Sequence, residues 1–213
     1  MKTDDLITML ATGPDVDLPL RPNIEGVALV VAAILISTVL MVATLGVRAD
    51  LIQAVALPAF WIKVTFVLAL ALFGWRATER LSLPGVRVRS LPFLIAAPLV
   101  MMWTLGLVTI INAEPDARAQ LFWGQTWKYC PALIAMLSLP IFGAIMLVLR
   151  RTAPTRLTLA GAAAGFAAGS SAALVYTLHC PETASSFIGF WYVLGILVPT
   201  VFGALIGRRA LAW

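Results

Sequence analysis

The chain contains two cysteines, Cys130 and Cys180, and these are the residues whose type and placement best suit a chemical role. Each is followed by a proline, and each lies at the end of a long apolar segment. A pair of thiols can form a disulfide or a redox-sensitive couple, which an oxidising compartment such as the bacterial periplasm permits. The alternatives are a site for a soft metal ion and two small, buried, unpaired residues.

A metal site needs more than two ligands, and the residues beside Cys180 supply two more. The resulting set is Cys130, Cys180, His179 and Glu182, which suits a soft metal ion although its spacing is not that of a zinc site. The chain has one histidine, and its sequence shows neither a glycine-rich phosphate-binding loop nor a nucleophile motif. We therefore expect no enzymatic activity, and no cofactor other than a soft metal ion acting as a signal.

The elements that position the cysteines are apolar segments long enough to cross a bilayer. Hydrophobic residues make up 61% of the chain and charged residues only 12%, against about 25% charged in soluble domains. Six apolar runs cover approximately residues 26–47, 51–75, 91–112, 129–149, 157–178 and 187–207. Because backbone polar groups must be paired within lipid, each run predicts a helix. The predicted fold is an all-α membrane protein with a tail at residues 1–25 and a six-helix domain at residues 26–213.

The positive charges predict how these helices are oriented. Most of them fall on one side of the membrane, at Lys2, Arg21, Arg76, Arg80, Arg87, Arg89, Arg150, Arg151, Arg156, Arg208 and Arg209. The other side carries Arg48, Arg118 and Lys128. The positive-inside rule therefore places both termini in the cytoplasm and both cysteines at the outer face of the membrane. Because the arginines adjoin the span ends, the net charge of +5 does not indicate nucleic-acid binding.

Three features within the spans add to this scheme. Lys63 is the ionisable residue set well inside a span, where its ammonium either reaches outward to water or pairs with a carboxylate on the outer side, at Asp50, Glu114, Asp116 or Glu182. Small residues at Gly161, Gly165 and Gly169, and again at Gly203 and Gly207, predict close helix packing. An aromatic belt is predicted at the outer span ends from Trp61, Trp123, Trp127, Tyr129, Trp191 and Tyr192.

The tail before the first span has the pattern of a short amphipathic helix. Its apolar residues fall on one arc and its acidic residues on the other, and a helix of this length needs a surface to be stable. That surface is either the membrane and its loops or a groove on a soluble partner. The candidate partner-binding residues are Asp4, Asp5, Leu6, Ile7, Met9 and Leu10.

Several stretches together resemble one known family. They are MKTDDLITML at the start, PAFWIK, WKYCP, RRTAPT, GAAAGFAAG, LHCPE, FWYVLGI and the final Trp213. These stretches are similar to the NrsF family of bacterial six-span anti-sigma factors, which hold an extracytoplasmic-function (ECF) sigma factor at the inner membrane. The resemblance covers essentially the whole chain.

This resemblance implies a cytoplasmic ECF sigma factor as the partner, engaged by the amino-terminal segment. It also implies that Cys130 and Cys180 sense a stress signal, an oxidant or a thiophilic metal, that releases the sigma factor. The alternative function is a small membrane transport or accessory subunit, which would need a polar path through the spans. A membrane electron carrier is a third reading, but one histidine cannot provide bis-histidine haem ligation.

Overall fold

The computed structural model describes residues 3–5, 8, 24–83, 91–152 and 154–212, and the elements in these ranges are helices. Their bounds are α1 Ile24–Thr44, α2 Leu51–Val55, α3 Pro58–Ser82, α4 Leu91–Asn112, α5 Pro115–Trp123, α6 Cys130–Arg150, α7 Leu157–Tyr176 and α8 Ser185–Ala210. In the described ranges, six helices (α1, α3, α4, α6, α7 and α8) are long and apolar enough to span a membrane. This confirms the predicted all-α fold with six membrane-spanning helices.

The start of the second span differs from the sequence prediction. The apolar run at residues 51–75 is divided, because the short helix α2 ends before Leu57 and α3 begins at Pro58. Leu57 is extended, as expected for a residue that precedes proline. Proline suits the first position of a helix, where no backbone hydrogen bond is lost. The shift moves Lys63 closer to the start of its helix than the apolar run implied.

Helix α7 is the centre of the helix bundle. In α7, 72% of the most apolar stretch is buried, whereas in α4 only 17% is buried and most side chains are exposed. The predicted close packing is confirmed: a Cβ added at Gly161 or Gly165 would overlap the carbonyl of Gly203 or Pro199 on α8. Small residues let the two backbones approach, which is how helices pack tightly in lipid.

The helix ends form two groups. At the end called here the arginine end, α1 begins and α3, α6 and α8 finish, and Arg151 pairs with Glu25 across 3.3 Å. There Arg150 also donates to the carbonyl of Ala210 at 2.7 Å. At the opposite end, called the cysteine end, Cys130 opens α6 and Cys180 follows α7. The predicted placement of both cysteines at one end of the bundle is therefore confirmed.

Only part of the amino-terminal tail can be described. Thr3, Asp4, Asp5 and Thr8 are helical and exposed, and the Thr8 hydroxyl donates to the Asp4 carbonyl at 2.8 Å. The apolar candidates for partner binding, Leu6, Ile7, Met9 and Leu10, lie outside the described residues. Their role as a docking face stays a prediction.

Candidate functional site

The two cysteines are brought together at the cysteine end. Cys130 is the first residue of α6, and its backbone N–H donates to Thr126 at 2.9 Å. Cys180 follows α7, and its N–H donates to the carbonyl of Tyr176 at 3.0 Å. Both are free thiols with no exposed surface, and their side chains interact directly. The fold therefore makes a buried pair from two cysteines that are distant in sequence.

Lys63 lies in the same buried cluster. Its ammonium donates to the backbone carbonyls of Cys180 at 2.9 Å and Glu182 at 3.0 Å. It also lies over the ring of Tyr192, 5.0 Å from the centroid, where a cation is attracted by the aromatic face. Lys63 has no exposed surface. The expectation that it reaches out to water is therefore wrong, and its partners are carbonyls instead of the carboxylates considered.

Lys63 reaches these carbonyls because of where the loop after α7 runs. Pro181 follows Cys180 and has no backbone N–H, so the peptide presents its carbonyl as an acceptor without a competing donor. Hydrogen bonds with an ionised donor are shorter and stronger than neutral ones. The loop is thus held from the inside by a single ammonium group.

The surroundings of Cys180 favour its ionised form. A hydrogen bond from the Cys130 thiol holds the pKa of the Cys180 thiol well below its usual range. The Lys63 ammonium acts in the same direction, and burial opposes both. The hydroxyl of Thr126 lies 3.9 Å from the Cys180 sulfur. Of the two cysteines, Cys180 therefore has the sulfur suited to act as a nucleophile or a metal ligand.

Two buried tyrosines complete the cluster. The rings of Tyr176 and Tyr192 are 5.9 Å apart, and neither side chain reaches the surface. The Tyr192 hydroxyl lies beside the Cys180 sulfur, yet within the described residues it is the one buried side-chain oxygen or nitrogen without a well-formed hydrogen bond. Sulfur is a weak hydrogen-bond acceptor, so this buried hydroxyl is poorly satisfied.

Tyr192 reaches this position through a π turn in α8 at Ile188–Tyr192. Such turns are rare and occur frequently at functional sites. Helix α4 packs against the turn, where the Trp103 indole donates to the Gly189 carbonyl at 2.8 Å. Tyr192 is consequently a core residue, and its predicted place in the aromatic belt is wrong. Trp123 and Tyr129 are exposed at this end, as a belt requires.

The loop that carries Cys180 is also held from outside. His179 Nδ1 contacts the Gly46 carbonyl at 2.9 Å, and Arg48, which pairs with Asp50 at 2.7 Å, reaches the Cys180 carbonyl at 3.4 Å. The Glu182 carboxylate accepts from the backbone N–H of Gln125 at 2.7 Å. These contacts tie the loop to the segment after α1 and to the segment before α6.

Gly124 makes room for the Glu182 contact. Its φ of +55° lies in the left-handed region that favours glycine. A Cβ added there would lie 2.8 Å from the Glu182 carboxyl carbon and 2.8 Å from the Phe187 ring. Glycine is therefore required both for the turn and for the approach of Glu182.

The four-residue metal set is not assembled. His179 faces Gly46 and Glu182 faces Gln125, so neither directs its side chain to the cysteine pair. In the part of the chain that the structure describes, no three His, Cys, Asp or Glu side chains are close enough to hold a metal ion. The set of Cys130, Cys180, His179 and Glu182 is therefore not brought together in this structure, and metal binding stays a prediction.

A small pocket opens beside the Cys180 loop. Its volume is about 290 Å³, and its lining includes Pro181, Glu182 and Thr183 of the loop and Gln120 of α5. Helix α5 covers the end of α8, since Leu121 accepts from the Ser186 hydroxyl at 2.8 Å and Phe122 accepts from the Trp191 indole at 3.0 Å. The pocket gives small molecules an approach to the loop that covers the thiols.

Sequence reasoning identified Cys130, Cys180 and Lys63 but missed the residues that connect them. Tyr176, Tyr192 and Arg48 carry no motif, although Tyr176 stands one helical turn before Cys180. That spacing is the one signal that could have placed a tyrosine beside the thiols. The burial of Tyr192 depends on the π turn, which sequence periodicity does not show.

Comparison with known proteins gives full-length matches. Residues 11–213 match the family described as NrsF, negative regulator of sigma F. The chain is 49% identical over 214 residues to a protein of Azospira oryzae named "Probable anti-sigma-F factor NrsF", with 100% of both chains covered. It is 37% identical over 225 residues to the "Anti-sigma-F factor NrsF" of Caulobacter vibrioides, again with 100% of both chains covered. No solved structure matches the chain.

Proposed function

The chain belongs to the NrsF family, and on this premise we propose that it is a membrane-bound anti-sigma factor. It holds a cytoplasmic sigma factor of the ECF type and releases it when a stress signal reaches Cys130 and Cys180. The observation that carries this proposal is similarity over 100% of the chain to two proteins named as anti-sigma-F factors.

The proposed location is a bacterial inner membrane with both termini in the cytoplasm. The basic residues that flank the spans support this orientation, because such residues stay on the cytoplasmic side. The arginine end then faces the cytoplasm and the cysteine end faces the periplasm. In this orientation the thiols lie where an oxidant from outside the cell arrives first.

The amino-terminal segment is the proposed docking site for the sigma factor. It combines an acidic arc with an apolar arc at Leu6, Ile7, Met9 and Leu10. An amphipathic helix of this kind binds with its apolar face in a groove. Burying each leucine or isoleucine contributes about 1.5–3 kcal/mol, so a few such residues supply most of a specific affinity.

Signal sensing is assigned to the cysteine pair, with an oxidant or a thiophilic metal ion as the signal. Three features support this assignment: the thiols are adjacent, an ammonium lies in the same cluster, and that ammonium bonds to the loop that carries Cys180. A change in the sulfur atoms would alter the contacts of Lys63 and therefore the position of α3. Helix α3 runs from the cysteine end to the arginine end, which links the two faces.

The docking proposal is tested by capture of the sigma factor from detergent-solubilised membranes. We expect Leu6→Asp or Leu10→Asp to lower sigma retention at least about tenfold, because a charge on the apolar arc removes more than 1.4 kcal/mol of binding. Thr12→Asp adds the same charge on the polar arc and is the matched control. Retention of the sigma factor after deletion of residues 1–20 would contradict docking through the tail.

A further inference from the structure

The buried cluster at the cysteine end contains a tyrosine hydroxyl that faces a sulfur, which is a weak hydrogen-bond acceptor. Tyr192 is fully buried, and its hydroxyl lies beside the Cys180 sulfur without a well-formed hydrogen bond. Lys63 uses two of its three N–H bonds on the carbonyls of Cys180 and Glu182. A hydroxyl and an ammonium hydrogen therefore remain available to a small polar molecule beside the sulfur.

The two cysteines are not equivalent. The Cys180 sulfur has the Cys130 thiol as its neighbour, and the hydroxyls of Thr126 and Tyr192 also lie beside it. A cation buried with it favours the thiolate, which is the nucleophilic form. Cys130 lies next to Cys180 and keeps its proton. It can therefore act as the second thiol, which reacts with Cys180 after Cys180 has been oxidised.

Burial limits what can reach the pair. Both cysteines have no exposed surface, and a pocket of about 290 Å³ is lined by Pro181, Glu182 and Thr183 of the loop that follows Cys180. A large or charged oxidant would have to displace the loop and would lose its hydration inside the cluster. A small, uncharged oxidant would not have to displace the loop, and it would lose little hydration inside the cluster.

We propose that Cys180 is the attacking thiolate of a hydroperoxide-reactive site, that Cys130 is its resolving thiol, and that Lys63 and Tyr192 bind the peroxide oxygens. This inference deepens the proposed function, since it names the oxidant class for the same cysteine pair. In the first step the Cys180 sulfur attacks one oxygen of hydrogen peroxide and the O–O bond breaks. The sulfur becomes a sulfenic acid, and the departing hydroxide takes a proton from the Lys63 ammonium to give water.

In the second step the Cys130 sulfur attacks the sulfenic acid, an S–S bond forms and the S–O bond breaks. The Cys130 proton and the departing hydroxyl leave as a second water molecule. The sulfur pair loses two electrons and the peroxide gains two. The cluster starts with one thiolate and one ammonium and ends with a disulfide and a neutral amine, so no unpaired charge is left buried.

The test uses the purified full-length chain in lipid nanodiscs, reduced and then treated with hydrogen peroxide in the presence of dimedone, which traps sulfenic acids. In Cys130→Ser we expect the dimedone adduct on Cys180, found by peptide mass spectrometry. In Cys180→Ser we expect no comparable adduct on Cys130. Equal adduct formation on either remaining cysteine would overturn the assignment of roles, and no oxidation of wild type by hydrogen peroxide would overturn the site.

A rapid-quench experiment on wild type makes the result independent of how the serine variants fold. The first adduct to appear must be on Cys180, followed by loss of both free thiols. An early adduct on Cys130 would contradict the proposal directly. Cumene hydroperoxide, which is bulkier, must oxidise the pair more slowly than hydrogen peroxide, and an equal or faster rate would contradict the limit set by burial.

The roles of the two supporting residues are tested by rate. Lys63→Met and Tyr192→Phe must each slow oxidation of Cys180, the first by roughly tenfold or more because the departing hydroxide loses the ammonium that gives it a proton. Lys128→Met removes an exposed lysine near Trp127 at the same end and must leave the rate unchanged. Unchanged rates in both Lys63→Met and Tyr192→Phe would show that these groups do not bind the peroxide.

Failure of this inference can be told apart from failure of the proposed function. The oxidation assay contains no sigma factor, so it reports only on the thiols. If peroxide fails but sigma release still requires the cysteines, only the oxidant class is wrong. If peroxide oxidises the pair as described but no sigma factor is captured, the proposed function is wrong.

Discussion

Lys63 lies in a place where an isolated ammonium would be unstable. Removing a cation from water costs several kcal/mol even after the protein relaxes, and Lys63 has no exposed surface. Two carbonyls, an aromatic face and a nearby sulfur offset this cost. The same contacts make the position of the Cys180 loop depend on the charge state of the cluster.

Replacing Lys63 should therefore destabilise the fold. Lys63→Met leaves the carbonyls of Cys180 and Glu182 without their donor, which costs about 1–3 kcal/mol. The measurement is the unfolding temperature in detergent, with Lys128→Met as the exposed control. A Lys63→Met protein as stable as wild type would show that these hydrogen bonds do not hold the loop.

Gly124 allows a second test at the residue scale. Gly124→Ala strains a left-handed turn and also pushes against Glu182 and Phe187. Gly143→Ala adds the same methyl group at an exposed position of α6 where it meets no atom within 4 Å, so it is the control. We expect Gly124→Ala to speed the alkylation of Cys180 by a small maleimide, because the Glu182 to Gln125 contact is lost. Equal alkylation rates in the two variants would contradict the role of that contact.

At the scale of elements, the packing of α7 on α8 depends on glycine. Gly165→Ala places a methyl group against the Pro199 backbone, and overpacking of this kind typically costs about 1–3 kcal/mol. Gly143→Ala, on the open face of α6, meets no atom within 4 Å and should be neutral or stabilising. The two variants are compared by the fraction of protein that stays folded after heating, measured by gel filtration. Equal losses would mean that the helices do not pack through this glycine.

The sequence predicted the spans better than the site. Lipid requires long apolar helices, so length and hydropathy locate α1, α4, α6 and α7 to within a few residues. Glycine spacing likewise predicted close packing at the faces through which α7 and α8 meet. The burial of Tyr192 and the partners of Lys63 could not be predicted, because they depend on a π turn and on the path of a loop. Hydropathy also could not show that Pro58 divides the second apolar run.

At the scale of the whole molecule, the central prediction is the orientation of the spans. Reporters fused after Gly85, Thr152 and Trp213 should show a cytoplasmic location, and a reporter fused at Asp116 should show a periplasmic location. The charge distribution gives the reason, since arginines beside span ends stay in the cytoplasm. A periplasmic carboxyl terminus would place the cysteine pair on the wrong side for sensing an external oxidant.

Release of the sigma factor on oxidation tests the proposed function most directly. The full chain is purified with its ECF sigma factor bound, immobilised through the chain, and treated with hydrogen peroxide, and the sigma factor that stays bound is measured. We expect wild type to lose the sigma factor and the Cys130→Ser, Cys180→Ser double variant to retain it. Failure to capture any sigma factor, or equal loss from wild type and the double variant, would contradict sensing through this cysteine pair.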